Sequence, residues 1–429
     1  MTITVVGTGY VGLVTAALFA KLGNSVWGLD IDKEKLEKLK NGQIPFFEPE
    51  LGSLVKEGVT SGKLKFTDSY RQSVSCSDVV FICVGTPPKK NGDYDLSYVY
   101  ESAKQTALAL KKYAVVAIKS TVPPSTGKKV QEIISVNTAI PFDVASCPEF
   151  LREGTAVSDS FNPSRIVIGA DCRKATDLLL KLHEPLKAPR IICSMVSAQL
   201  IKYAANAFLA TKISFINSIA YICDKTGADI KEVSRGLGLD PRIGQSFLNA
   251  GLGYGGSCFP KDTWALISFS KRLGYDFQFL KQVDKINKDQ VDYFIEKIKR
   301  LLSNTLAGKT IAILGLSFKP DTDDLRESRS TLIIKKLLAK GAKINATDPV
   351  AIENCRKILP QINYFSDPYE ALKGSQALVL ATEWDQYSQL DFEKIATLMK
   401  EKIIVDGRNF FDVKKLKKLG FVYEGIGVS

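Results

Sequence analysis

Residues 2–30 read TITVVGTGYVGLVTAALFAKLGNSVWGLD, and this stretch decides the architecture. The mainly apolar run Ile3–Val6 has the length and texture of a buried strand. A glycine turn follows, then an apolar-rich segment with helical spacing, then Gly23 and a second strand ending at Asp30. Strand, turn, helix, turn and strand in that order make a βαβ unit. Further strands are expected at Val79–Gly85, Ala114–Ser120 and Arg165–Ala170, with helical segments between them. Such alternation predicts a mostly parallel, doubly wound sheet.

The texture changes after Pro189. From Ser194 to Thr226 there is neither Gly nor Pro, and apolar residues recur at Leu200, Tyr203, Ala204 and Phe208. That pattern predicts one long connecting helix, longer than most globular helices. Its exposed apolar face is the kind a second subunit covers, so a dimer is expected. At Gly308 the α/β pattern restarts with KTIAILGLSFKPDTDDLRESRSTLIIKKLLAKGAKINATDP, again strand, glycine turn, helix, glycine, strand and aspartate. The expected fold is therefore α/β, with two Rossmann-like doubly wound domains flanking a central helical domain. The boundaries are read as 1–194, 195–300 and 301–429. At roughly 150 residues per domain, 429 residues are consistent with that count.

Composition narrows the chemistry. There is 1 histidine, His183, so a multi-histidine zinc site is excluded and a Ser-His-Asp triad would have to use that residue. His183 precedes Pro185 at an expected helix end, and a structural role is read there, since imidazole suits helix C-termini. The 8 cysteines are scattered with no CxxC pair, which argues against a metal or redox site. Most lie in apolar runs such as FICVG and IICSM, as buried thiols do. No signal-like stretch precedes the first strand and no apolar run is long enough for a bilayer, so a cytoplasmic protein with free thiols and no membrane partner is expected. The net charge is +12, but the lysines are dispersed and no nucleic-acid-binding motif occurs. No nucleic-acid partner is expected; the field suits small anions, nucleotides included.

Three constellations carry chemistry. In Gly7-Thr8-Gly9-Tyr10-Val11-Gly12, Gly7 permits the tight turn, Gly9 lets backbone approach a pyrophosphate, and Gly12 allows close helix packing. Asp30 ends the next strand, where it would accept ribose hydroxyls and repel a 2′-phosphate, favouring NAD over NADP. Lys35 could reach the adenosine side or sit in solvent. In Gly253-Tyr254-Gly255-Gly256-Ser257-Cys258-Phe259-Pro260-Lys261-Asp262, Cys258 is the one cysteine in a glycine-rich loop. Pro260 suits a first helical turn, which would put the thiol at a helix N-terminus near Lys261, both favouring thiolate. Asp262 lies one turn on. The competing reading is a buried structural cysteine. Lys202 and Asn206 are four apart, hence on one helix face with apolar flanks. A lysine so placed can donate to a developing oxyanion, or can simply snorkel.

These strings, with KSTVPPSTG, CPEFLREG, LIKYAANAFLATKISFIN, DPRIG, FLNAGLGYGGSCFPKD, GLSFKPDTDDLRES and VDGR, follow in order along essentially the whole chain. The sequence resembles the UDP-glucose 6-dehydrogenase family, within the nucleotide-sugar 6-dehydrogenases. That resemblance implies two successive NAD-dependent oxidations of a sugar 6-alcohol to the acid, with UDP-glucose as substrate. It implies that Lys202 and Asp262 handle the alcohol proton, that Cys258 carries thiohemiacetal and thioester intermediates, and that Glu149 and Thr121 activate or position water. It implies substrate contacts from Glu149, Phe150, Leu151, Arg152, Lys202, Asn206, Phe247, Leu248, Asn249, Ala250, Gly251, Gly255, Phe318, Lys319 and Arg408. Arg242 resembles an arginine that reaches a neighbouring subunit's sugar site. Tyr10, Val11, Thr86, Thr121, Glu153, Lys261 and Arg326 resemble cofactor contacts. No metal is implied. The alternatives are the same chemistry on GDP-mannose or a UDP-N-acetylhexosamine, and a non-enzymatic NAD-sensing module. The loop Lys89–Asp95 and the tail after Gly420 have no functional reading.

Overall fold

The computed structural model describes residues 1–89 and 92–428; Lys90 and Asn91 of the Lys89–Asp95 loop lie outside the described residues, as does Ser429. The chain divides into two compact units, Met1–Ala205 with Trp264–Gly274, and Asn206–Thr263 with Tyr275–Ser429. Residues of the expected helical segment 195–300 are thus shared between the two.

The first unit holds β1 (Thr2–Val6), β2 (Ser25–Leu29), β3 (Leu64–Thr67), β4 (Val79–Ile82), β5 (Ala114–Ile118), β6 (Phe142–Ser146), β7 (Ile166–Ala170) and β8 (Arg190–Cys193). They form one sheet in the order β3-β2-β1-β4-β5-β6-β7-β8. Only the β6–β7 pairing is antiparallel, with Ala145 opposite Ala170. The strands alternate their side chains between two cores. Val79, Phe81, Val115 and Ala117 enter one core, while Val80, Ile82, Val116 and Ile118 enter the other. Burial on both faces explains why these strands read as continuous apolar runs rather than as alternating ones.

The second unit holds β9 (Thr310–Leu314), β10 (Lys343–Thr347), β11 (Asn363–Tyr364), β12 (Ala377–Leu380), β13 (Ile403–Asp406) and β14 (Val422–Glu424), in the order β11-β10-β9-β12-β13-β14. This repeats the 3-2-1-4-5-6 order of the first six strands in the first sheet. Each sheet thus has a switch point, between β1 and β4 and between β9 and β12, where such folds place ligands. The tail after Gly420 supplies β14 and then packs on helical residues: Gly427 accepts from Ile230 N, and its own N–H donates to Asp224.

The expected long helix runs Met195–Thr226, 32 residues without a break. Lys202 and Asn206 both lie on it. His183 caps the helix Arg173–Leu182, as expected of a structural residue, but not as a cation. Its Nδ1–H donates to Leu179 O at 2.8 Å and its ring stands edge-on to Phe19. Burial, reinforced by the charge of Lys119, drops its pKa to about 4, so the imidazole is neutral at pH 7. The expected dipole-compensating charge is absent because the ring is in the core. A histidine whose folded pKa lies below its unfolded value of roughly 6.5 withholds stability as pH falls from that value towards the folded pKa. Urea unfolding at pH 7 and pH 5 should show that loss, up to about 3 kcal/mol across the full range, and His183→Phe should lack it.

Candidate active site

The glycine turn is set by close approach. Gly7 has φ +90°, and a Cβ there would meet Cys83 O at 2.9 Å. A Cβ on Gly12 would come within 1.8 Å of Gly7 O. Gly9 differs: nothing lies within 4 Å of its Cβ position, so the turn is open where a pyrophosphate would lie. Tyr10 and Val11 begin the helix Tyr10–Lys21, whose N-terminal N–H groups face that opening. Tyr10 has a second task, because its hydroxyl accepts from Gly154 N at 2.9 Å.

Asp30 Oδ2 accepts from Thr8 N at 2.8 Å, Thr8 Oγ1 at 2.7 Å and Lys35 Nζ at 2.9 Å. Burial alone would raise its pKa, but the bonds from Lys35 and Thr8 outweigh that and hold the carboxyl below its ordinary range. It is therefore ionised where a ribose would need an acceptor. Lys35 is neither purely solvated nor free for an adenosine, since it pairs with this carboxylate. Thr86 Oγ1 donates to Thr121 O at 3.1 Å, joining the loops after β4 and β5. Open space at Gly9, an ionised Asp30 and the Thr86–Thr121 junction fit a bound NAD.

The loop after β6 carries Glu149 to Glu153. Glu149 is buried; its Oε1 accepts from Lys202 Nζ at 2.9 Å and its Oε2 from Leu151 N at 2.6 Å. The side chains of the pair are 5% and 4% exposed, so this lysine is not in a simply apolar setting: its charge is matched. Phe150 lies under Arg165 at 3.6 Å from the ring centroid, with Lys202 at 5.4 Å. Arg152 points away to Asp159, forming hydrogen bonds through Nε at 3.0 Å and Nη2 at 2.7 Å. Glu153 is half-buried in the same loop.

In the second unit, the helix Phe259–Arg272 begins one residue after Cys258, with Pro260 in its first turn. The thiol is therefore at a helix N-terminus. Asp262 is nearly inaccessible, accepting from Asn206 Nδ2 at 2.6 Å and from Lys261 Nζ at 2.8 Å. Lys261, expected beside the thiol, directs its ammonium to that carboxylate. The loop before the cysteine has no spare volume. A Cβ on Gly255 would meet Glu327 O at 2.3 Å, and one on Gly256, φ +79°, would meet the Phe318 ring at 2.7 Å. Of the other cysteines, Cys83 and Cys147 are buried and their thiols are pushed up to about 12 by burial. Neither can supply thiolate at neutral pH.

The remaining candidates of this unit fall into three places. Phe247, with φ +65°, packs its ring near Phe259, and Leu248 and Ala250 are buried, whereas Asn249 is exposed. Gly251 N donates to Asn217 Oδ1 at 2.8 Å, and a Cβ there would meet Gly407 O. Arg408 Nε donates to Ala381 O at 2.8 Å and its Nη2 to Phe318 O at 3.3 Å, tying the β13 end to the loop that carries Lys319. Arg326 and Arg242 are exposed and paired with Asp324 and Asp240.

Three family models match in succession: the NAD binding domain of the UDP-glucose/GDP-mannose dehydrogenase family over residues 1–187, its central domain over 196–289, and its UDP binding domain over 312–413. The chain belongs to the UDP-glucose/GDP-mannose dehydrogenase family. It is 45% identical over 428 residues to a UDP-glucose 6-dehydrogenase, TuaD, of Bacillus subtilis (strain 168), covering 99% of this chain and 93% of the relative. It is 44% identical over 434 residues to a UDP-glucose 6-dehydrogenase of Rhizobium meliloti (strain 1021), covering 100% and 99%. Among solved structures, a UDP-glucose dehydrogenase from Pyrobaculum islandicum superposes with a TM-score of 0.93 at 39% identity, covering 100% and 98%. A GDP-mannose dehydrogenase from Pseudomonas aeruginosa also matches, at a TM-score of 0.56 and 31% identity, covering 99% and 100%.

Within this member of the UDP-glucose/GDP-mannose dehydrogenase family, three polar residues that hold the Glu149 loop or the cysteine loop had no readable signal. Glu48 is buried and accepts from Gly154 N at 2.6 Å and Ala156 N at 2.7 Å, anchoring the Glu149 loop. Asn287 and Arg329 grip the cysteine loop. Each acts on backbone far away in sequence, so no local pattern marks it.

Proposed function

We propose that the chain oxidises UDP-glucose to UDP-glucuronate, with two NAD reduced per sugar and one water consumed. NAD, when bound, accepts a hydride in each oxidation. The chain's own groups do the rest. In the first step Lys202 donates to the sugar 6-oxygen as charge develops on it and Asp262 takes up the hydroxyl proton, as the alcohol becomes an aldehyde. The Cys258 sulfur then bonds to the aldehyde carbon, and its proton ends on the oxygen, giving a thiohemiacetal. Loss of hydride and that proton yields a thioester. Water adds to it, with Glu149 accepting a proton and Thr121 orienting the water, and the C–S bond breaks to free acid and thiol. The pairing of an ammonium with a carboxylate at Lys202 and Glu149 supports this division, one group donating and the other accepting.

The observation that carries the reading is Cys258 at the head of its helix, in a glycine loop with no room to move. A non-enzymatic NAD-sensing module would have no use for it. The choice of UDP-glucose over GDP-mannose rests on full-length identity of 44–45% to UDP-glucose 6-dehydrogenases, against 31% to a GDP-mannose dehydrogenase. NADH formation is expected with UDP-glucose and not with GDP-mannose or a UDP-N-acetylhexosamine; no turnover of UDP-glucose sinks the assignment. The remaining contacts are assigned as the resemblance implies: Tyr10, Thr86, Glu153, Lys261 and Arg326 to the cofactor, and Phe150–Arg152, Phe247–Gly251, Gly255, Phe318, Lys319 and Arg408 to the substrate. No helix is long and apolar enough to cross a membrane among the described residues. All eight cysteines are free, which supports a cytoplasmic site of action; recovery of the activity in a membrane or secreted fraction contradicts it.

A homodimer through the long helix is part of the same proposal. Phe208, Phe215 and Ile222, spaced by seven, are 65%, 51% and 53% exposed along it. The first two line an apolar cavity of about 430 Å³ with Phe279, Val283 and Ile286, and Arg242 at its edge. Such a face is costly to leave in water. A monomeric mass by light scattering contradicts the dimer.

A further inference from the structure

The backbone of one residue in the cysteine loop, Tyr254, is held far more firmly than hydrogen bonding requires. Tyr254 N donates to Asn287 Oδ1 at 2.8 Å, and Tyr254 O accepts from Asn287 Nδ2 at 3.1 Å. The carboxamide thus pairs with both sides of a single residue, as a neighbouring strand would. That alone satisfies the residue's N–H and C=O. Tyr254 O nevertheless accepts a further bond, from Arg329 Nε at 2.7 Å. Asn287 is 2% exposed and Arg329 4%.

Arg329 is an expensive way to satisfy a carbonyl. A buried guanidinium loses its hydration, and no carboxylate forms an ion pair with it among the described residues. Burial holds its pKa below the ordinary arginine value, with Glu327 offsetting only part of that cost. The surroundings fit the same purpose. Gly253, φ +92°, admits the Asn287 amide, because a Cβ there would meet its Oδ1 at 2.3 Å. Two residues on, Gly256 N donates to Arg326 O at 2.9 Å, three residues before Arg329. The Tyr254 backbone, four residues before the thiol, is therefore pinned from the helix Gln278–Leu301 on one side and from the start of the helix Arg329–Ala339 on the other.

We propose that Asn287 and Arg329 are positioning residues for Cys258: by clamping the Tyr254 backbone they fix where the sulfur stands at the head of its helix. The inference rests on Cys258 being the nucleophile. A thiol displaced by about 1 Å loses on the order of 10²-fold in rate without loss of substrate binding.

The test uses the full-length enzyme with Arg329→Ala, Arg329→Lys and Asn287→Asp, the last keeping the acceptor for Tyr254 N and removing the donor to Tyr254 O. Two quantities are measured: steady-state rates with UDP-glucose, and the pH profile of Cys258 alkylation by iodoacetamide, which needs no turnover. Arg329→Ala and Asn287→Asp should lower kcat about 10- to 100-fold with KM for UDP-glucose little changed, and should move the alkylation profile. Arg329→Lys, which can still donate to Tyr254 O, should recover part of both. Lower thermal stability with unchanged kcat and an unchanged alkylation profile overturns the proposal, leaving only a structural clamp. An altered profile with wild-type kcat keeps the clamp and overturns Cys258 as nucleophile instead. If the Arg329 variants do not fold, Asn287→Asp alone decides by the same two readouts.

Discussion

Cys258→Ser is expected to stop acid formation while sparing the first oxidation. Removal of hydride from the sugar alcohol needs no thiol. The aldehyde then meets a hydroxyl whose pKa lies far above that of a thiol, roughly 8.5, so addition is slow. Any ester that does form hydrolyses less readily than a thioester. UDP-glucuronate formation should fall by about 10³-fold or more, while a single-turnover burst of NADH persists. Quench-flow analysis of products separates the two events. Seven other cysteines give no escape route, since the buried thiols of Cys83 and Cys147 are pushed up to about 12 and none of the others sits at the head of the Phe259–Arg272 helix. Cys258→Ala forming UDP-glucuronate at the wild-type rate would falsify the covalent step.

Lys202→Ala should damage both stability and rate, and for separable reasons. It strands Glu149, whose side chain is 5% exposed, as a buried carboxylate without its ammonium. Breaking a buried pair from one side typically costs about 3–5 kcal/mol, because the orphaned charge is poorly solvated. The rate should fall on the order of 10²- to 10⁴-fold, the range for losing a positioned proton-handling group. Adding Glu149→Gln removes the orphaned charge, so the double variant should regain much of the lost stability. It should regain none of the rate, because Glu149 is assigned to the hydrolysis. Urea unfolding and steady-state kinetics on the four proteins of this cycle give both couplings. Stability effects that simply add, with no recovery in the double variant, would mean that the Lys202–Glu149 contact has no energetic weight.

The parts of this protein that could be read in advance are those whose cause is local. Gly7, Gly12 and Asp30 are fixed by one turn and two adjacent strands, so their spacing announces them. The 32-residue helix is visible as a stretch without Gly or Pro. Pro260 marks the start of the cysteine helix for the same reason. The partners of these residues were not legible. Glu149 and Lys202 are 53 residues apart and Asn206 and Asp262 are 56 apart, so only the tertiary fold pairs them. The helix spacing of Lys202 and Asn206 was read correctly, but not that each faces its own carboxylate. Asn287 and Arg329 look like ordinary helix residues in sequence, and Glu48 like a loop acid; burial gives them their roles. Strand β11 has two residues and leaves no apolar run, and the short apolar run Ile191–Cys193 of β8 leads straight into the pattern of the long helix, so neither stands out. His183 was placed correctly as structural, but its charge state depends on burial and on the charge of Lys119, which no local pattern reveals.

The central claim is that one site removes four electrons from one sugar through a single cysteine. The most direct measurement is the NADH formed per UDP-glucose when a limiting, known amount of sugar is run to completion with excess NAD. Two NADH per sugar, with UDP-glucuronate as the only sugar product, is the expected result. One NADH per sugar, with the 6-aldehyde accumulating, would contradict it.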